Sequence, residues 1–302
     1  MMKIAIIGAG AVGSYYGARL AAHGHDVHFL LRSDYAHVQA HGIEVKSIHG
    51  DFLLDSVTCC KSAEEIGEVD LVIVAWKTTA NAEAERIISP VVGRETRILT
   101  LQNGLGNVEH LGSIFGMDNI LGGLCFVCIN RLSPGVIHHS ASGLVRMAWA
   151  TKPVDDYLDR LVSEFRSAGI RCESVDNLEK ALWMKLVWNF PFNGLAIAEG
   201  GVDTEILLKE KKLEPLVRKL MHEVITAGRA LGHDISYDVI DQQIAITLPM
   251  KAYRPSSMID FVEGRPVEYD AIWKQPLEVI SRLGVAAPEM ELLAKRVWQR
   301  IS

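Results

Sequence analysis

The sequence predicts an α/β protein, with a doubly wound parallel-sheet domain followed by an all-helical one. Three observations carry this. Short runs that are apolar on both faces alternate with helical patterns through the first half, as strands covered on both sides require. A glycine-rich turn, "GAGAVG", joins the first such run to the first helix. From about Val175 onward, almost every segment has helical spacing. The domains are therefore expected at 1–175 and 176–302.

Each element follows in order. "KIAIIG" is a short apolar strand bounded by glycine, and "AVGSYYGARLAAHG" is a helix that stops at Gly24. "DVHFLL" is the second strand. "IEVKSIHGDFLLDSV" alternates around His49-Gly50 and predicts a hairpin. "VDLVIVAW" and "TRILTLQ" are two further strands, with "TTANAEAERIISPVV" helical between them. From Gly122 to Trp149 the pattern turns to consecutive strands around Ser133-Pro134-Gly135. "VDDYLDRLVSEFRSAG" is an amphipathic helix and "IRCESV" a last strand. The helical half comprises "NLEKALWMKLVWN", "LEPLVRKLMHEVITAGRALG", "VIDQQIAITL", "EYDAIWKQPLEVISRLG" and "EMELLAKRVWQRI".

Composition narrows the function. A hydrophobic fraction of 49% over 302 residues supplies a real core. A net charge of -6 argues against a nucleic-acid partner held through its phosphates. No apolar run has membrane-spanning length, so no membrane partner is expected. The glycines after the first strand arrive too soon for a signal peptide, so the expected location is cytoplasmic. Five cysteines fit reduced thiols, and Cys125 and Cys128 form a CxxC in a strand-like run, where buried small apolar residues are expected. Eleven histidines show no zinc spacing, and no metal is expected. Helical C-terminal domains often pair, which allows a homodimer, yet no apolar stripe is left over to demand one.

Gly8-Ala9-Gly10-Ala11-Val12-Gly13 matches GxGxxG between a strand and a helix, the setting of a Rossmann-type dinucleotide site. Gly8 permits the tight turn, Gly10 lets the backbone approach a pyrophosphate, and Gly13 lets the helix pack on the strand. The pyrophosphate would rest on free N–H groups of the helix start, at Ala11 and Val12. The second strand then ends in Arg32 rather than in a carboxylate. A carboxylate would bind the ribose 2'-hydroxyl of NAD and repel a 2'-phosphate, whereas a guanidinium suits the phosphate. NADPH is therefore the expected cofactor, with Asp34 two residues on as a countervailing charge. A solvated surface arginine is the plainer alternative. Lys77 and Asn103 follow two further strands, on the edge where such sheets bind ligands. Lys77 would reach the adenosine phosphate or the cleft between the domains, and Asn103 the nicotinamide end, unless it serves only its turn.

In the helical half Lys185, Asn189 and Asn193 recur every four residues, which aligns them on one helix face among apolar neighbours. Pro191 falls inside that stripe and predicts a kink or an end to the helix. "YRPSSMIDF" and "RPVEYDAI" then bring Arg254, Ser257 and Glu268. Ser256 and Ser257 would serve as well in a turn cap, and Glu268 at a helix N-terminus.

Taken together the chain resembles the ketopantoate reductase family (2-dehydropantoate 2-reductase) over nearly its whole length. The resemblance rests on GAGAVG, Lys77, "QNG" at 102–104, "KxxxN" at 185–189, "RPSSM" at 254–258 and Glu268. It implies NADPH-dependent reduction of a 2-keto acid to a 2-hydroxy acid, as a step toward pantothenate and coenzyme A. It implies Lys185 as general acid, Glu268 assisting at the substrate hydroxyl, and Asn103, Asn189, Asn193 and Ser257 holding substrate. The chemistry of the residues agrees. Hydride delivery to a ketone builds negative charge on oxygen, and a lysine supplies both a cation and a proton. Arg254 and Ser257 offer donors to a substrate carboxylate. Arg254, Pro191 and Trp273-Lys274 depart from the family pattern. They leave open a reductase of another 2-keto acid, and a non-catalytic NADP(H)-binding regulator is a further alternative.

Overall fold

In a computed structural model, which describes residues 1–302, the chain divides into two compact units. The first comprises Met1–Gln102 and Asn107–Leu178, the second Glu179–Ser302 together with Asn103–Gly106. The predicted α/β class holds: the first unit carries all the strands and the second is helical.

The first unit has ten strands: β1 Lys3–Ile7, β2 Asp26–Leu30, β3 Ile43–Ser47, β4 Phe52–Leu54, β5 Thr58–Cys60, β6 Val69–Val74, β7 Val92–Thr100, β8 Ile120–Ser133, β9 Val136–Trp149 and β10 Cys172–Ser174. Their order in the sheet is β4-β3-β9-β8-β7-β6-β1-β2-β5, with β10 on β9. The run β5-β2-β1-β6-β7-β8 is parallel throughout, the strand order of a doubly wound dinucleotide-binding sheet. β8 and β9 form the antiparallel pair expected around Ser133-Pro134-Gly135, and β3 and β4 the expected hairpin.

Its helices are α1 Ala11–Ala22, α2 Tyr35–His41, α3 Ala84–Ile88, α4 Asn107–Phe115 and α5 Asp156–Ser167. Ile4, Ile6, Tyr16, Phe29, Leu71 and Phe165 are among the residues of its buried core. α5 starts where Asp155 accepts the Leu158 N–H at 2.9 Å, an N-cap bond. The segment after β6 is helical but not one helix. It runs as a 3-10 turn Thr78–Glu83, then α3, then a 3-10 turn Ser89–Val91. Pro90 has no N–H for an α-helix to use, and the chain passes from α3 into the 3-10 turn at Ser89. Cys125 and Cys128 lie half-buried along β8, not fully buried as expected, and neither is in a disulfide.

The second unit is built on α6 Leu178–Ala198, α7 Glu214–Ala230, α8 Asp238–Thr247, α9 Ser256–Val262, α10 Gln275–Leu283 and α11 Pro288–Ile301, with π turns at Ile206–Glu210 and Asp270–Lys274. Trp183, Phe190, Val224, Trp273 and Met290 are buried together in its core. Of the two outcomes expected at Pro191, an end to the helix does not occur, because α6 continues past it for seven residues. Pro191 removes the bond to the Val187 carbonyl, and two carbonyls next to it in sequence accept side-chain donors. Trp273 Nε1 donates to the Phe190 carbonyl at 3.2 Å and Asn193 Nδ2 to that of Asn189 at 3.1 Å. Buried packing on both sides then outweighs the local cost of proline.

Candidate active site

The glycine turn is built as its spacing requires. Gly8 has φ +97, and a Cβ there would lie 2.2 Å from the Trp76 nitrogen. A Cβ on Gly13 would lie 2.4 Å from the Gly8 carbonyl, so the helix rests directly on the turn. Gly10 is different: nothing lies within 4 Å of the Cβ it lacks. That open approach sits at the start of α1, whose N-cap offers no side-chain hydrogen bond to the first N–H groups. Uncapped donors beside open space fit a pyrophosphate.

Arg32 and Lys77 are exposed residues just past the carboxyl ends of β2 and β6. Asp34, buried at the start of α2, is bound by a residue the sequence did not single out. Arg131 Nη1 contacts both its carboxylate oxygens at 2.7 Å, and the Ser33 hydroxyl donates to it at 2.9 Å. The countervailing charge near Arg32 is thus already paired. The partner comes from β8, 97 residues along the chain, and no local pattern signals it.

A second unforeseen group braces the ends of β6 and β7. Gln102 Nε2 donates to Asn81 Oδ1 at 2.7 Å and to the Trp76 carbonyl at 3.3 Å, while its Oε1 accepts from Thr100 at 2.9 Å. Trp76 Nε1 also donates to Asn81 Oδ1, at 3.1 Å. Gln102 therefore serves as a buried strut, and the next residue turns away into the helical unit.

There, Gly104 has φ +83, and a Cβ on it would lie 2.3 Å from the Ala271 carbonyl. The Leu105 N–H donates to that same carbonyl at 2.9 Å. Only glycine permits this approach. It delivers Asn103 to α6, where Lys185 Nζ donates to Asn103 Oδ1 at 2.8 Å. Two candidates taken from separate motifs, 82 residues apart, thus meet.

Asn193 is almost fully buried, and both ends of its amide have backbone partners. Its Oδ1 accepts the Ser257 N–H at 2.9 Å. Ser257, itself buried, lies in the first turn of α9. Asn189 is half-buried on α6 and Arg254 is exposed just ahead of α9. Glu268 is 4% exposed, and its carbonyl accepts the Ile272 N–H at 3.2 Å as the Asp270–Lys274 turn begins. Trp273, a departure from the expected pattern, is fully buried and stacks on Tyr269 with ring centroids 6.0 Å apart. It is core packing.

Comparison with known proteins agrees with this architecture. Residues 4–150 match the family model described as Ketopantoate reductase PanE/ApbA, and residues 177–300 match Ketopantoate reductase PanE/ApbA C terminal. A 2-dehydropantoate 2-reductase of Nostoc sp. is 38% identical over 296 residues, covering 96% of this chain and 92% of its own. A crystal structure of 2-dehydropantoate 2-reductase from Geobacter metallireducens is 44% identical, with a TM-score of 0.96, and the match covers 98% of this chain and 99% of that one. Another, from Methylococcus capsulatus, is 32% identical with a TM-score of 0.91 and covers 99% and 98%. With family models spanning both halves and relatives above 30% identity along nearly the whole length, this chain belongs to the ketopantoate reductase family of oxidoreductases.

Proposed function

We propose that the protein reduces 2-dehydropantoate (ketopantoate) to pantoate with NADPH, a step toward pantothenate. The observation that carries this reading is the 2.8 Å contact between Lys185 and Asn103. A reductase of this kind needs a proton donor at the ketone oxygen, and the contact holds an ammonium in a fixed place through one of its N–H bonds. A bound nicotinamide nucleotide would supply the hydride to the keto carbon.

The first unit would bind that nucleotide. The uncapped N–H groups at Ala11 and Val12 and the open face of Gly10 receive the pyrophosphate, Arg32 the 2'-phosphate, and Lys77 the same anionic edge. The second unit would bind and protonate the keto acid. As the carbonyl gains negative charge, Lys185 gives its proton to the oxygen, and solvent reprotonates the amine. Asn103 orients the ammonium through its Oδ1. Glu268, buried beside the Asp270–Lys274 turn, assists at the product hydroxyl. Asn189, Ser257 and Arg254 supply donors for the substrate carboxylate and hydroxyls. Asn193 takes part by fixing the backbone at Ser257.

Steady-state assays over a panel of 2-keto acids, with NADPH and with NADH, test the assignment. Ketopantoate with NADPH is expected to give the highest kcat/KM. A higher value for another acid would replace the substrate while keeping the chemistry, and no turnover of any would favour a binding role.

A further inference from the structure

The carboxyl ends of β2 and β5 lie side by side. The strands pair in parallel with Leu30 opposite Cys60, and the Leu31 N–H donates to the Cys60 carbonyl at 2.9 Å. The chain leaving β2 next presents Arg32, and the chain leaving β5 presents Lys61. Two exposed cations therefore stand on adjacent strand exits, on the edge of the sheet that carries the glycine turn. The Lys61 ammonium lies 4.5 Å from the centre of the Tyr35 ring, and Tyr35 opens α2 three residues beyond Arg32. An aromatic face steadies a cation without neutralising it. The neighbouring carboxylates are otherwise engaged. Asp34 is paired with Arg131, and Glu65 Oε2 accepts the backbone N–H of Lys61 at 2.9 Å.

We propose that Lys61 is a second specificity residue for the cofactor, recognising the 2'-phosphate of the adenosine ribose beside Arg32. This rests on the NADPH reading above. A dianionic phosphate is better matched by two cations than by one, and a 2'-hydroxyl gains nothing from either.

Fluorescence titration of NADPH and of NADH into the protein without substrate tests the proposal directly. Lys61→Met should weaken NADPH about three- to tenfold at low ionic strength, with that loss shrinking as salt is added. NADH affinity and the Tm should stay at wild-type values, and Lys61→Arg should keep NADPH affinity. Equal weakening of both nucleotides, or no weakening of NADPH, would overturn the proposal. Arg32→Ala, titrated alongside, separates the two claims. If it discriminates between the nucleotides and Lys61→Met does not, only the role of Lys61 falls. If neither discriminates, the NADPH assignment falls with it.

Discussion

At the scale of single residues, Lys185 and Asn103, joined at 2.8 Å, form the pair on which the proposed chemistry rests. Lys185→Ala is expected to lower turnover by about 10²–10⁴ while leaving the Kd for NADPH near wild type. An unchanged turnover would take Lys185 out of the mechanism. Asn103→Ala should give a smaller loss, about tenfold in kcat, since it misdirects the proton donor without removing it. Asp34 and Arg131 allow a sharper test at the cofactor end. Arg131→Met would leave a buried carboxylate near Arg32 without its bidentate partner. NADPH binding should weaken more than NADH binding, and adding Asp34→Asn should restore it. If the double variant binds no better than the single, the carboxylate does not reach the phosphate. The sequence showed Asp34 as a charge opposing Arg32. That Arg131 had already paired it was not legible, because a partner 97 residues away leaves no local pattern.

Among the elements, the parallel strands were legible because being apolar on both faces is itself the signature of a covered sheet. β5, α2 and α4 were not predicted. β5 has three residues and α2 seven, too short for periodicity to declare itself. The length of α6 was not legible for a different reason. Proline's local cost was visible in the sequence, whereas the packing of the buried helix, with Trp273 donating to the Phe190 carbonyl from a distant segment, was not. The turn at 102–104 was recognised, yet its Gln102 and Gly104 have unlike tasks, one bracing two strand ends and the other pressing on Ala271. Gly104→Ala should therefore cost more than an ordinary glycine replacement, about 1–3 kcal/mol from the positive φ alone plus the clash with the carbonyl. Thermal unfolding and kcat would both register it. Asp155→Ala, which removes the cap of α5, should cost about 1 kcal/mol with little effect on kcat.

For the molecule as a whole, stability should depend on pH through buried histidines of the first unit. His139 is fully buried. Its Nε2 lies 3.1 Å from the Ala141 carbonyl, which can only accept, so Nε2 carries the proton. Nδ1 then accepts from the hydroxyls of Tyr15 at 3.0 Å and Ser47 at 2.9 Å. Burial lowers its pKa below the usual 6.5, and burial does the same to His25 against the opposing pull of Glu164. A lowered pKa means the unfolded chain binds the extra proton first. The stabilisation is thus complete above about pH 6.5 and lost as pH falls from there through the folded-state pKa. The Tm should drop as pH is taken from 7 to 5, and His139→Gln should flatten that slope. An equally steep slope in the variant would assign the acid sensitivity elsewhere.

The helical unit is not one continuous stretch of chain, since Asn103–Gly106 is part of it. A fragment cut to begin at residue 179 would retain Lys185 but lose the amide to which its ammonium donates. Dissecting the protein into separately expressed halves, or recombining halves from different relatives, must therefore carry this tetrapeptide across with the helices. A chimaera joined at a single point near residue 178 would combine one parent's amine with the other parent's amide.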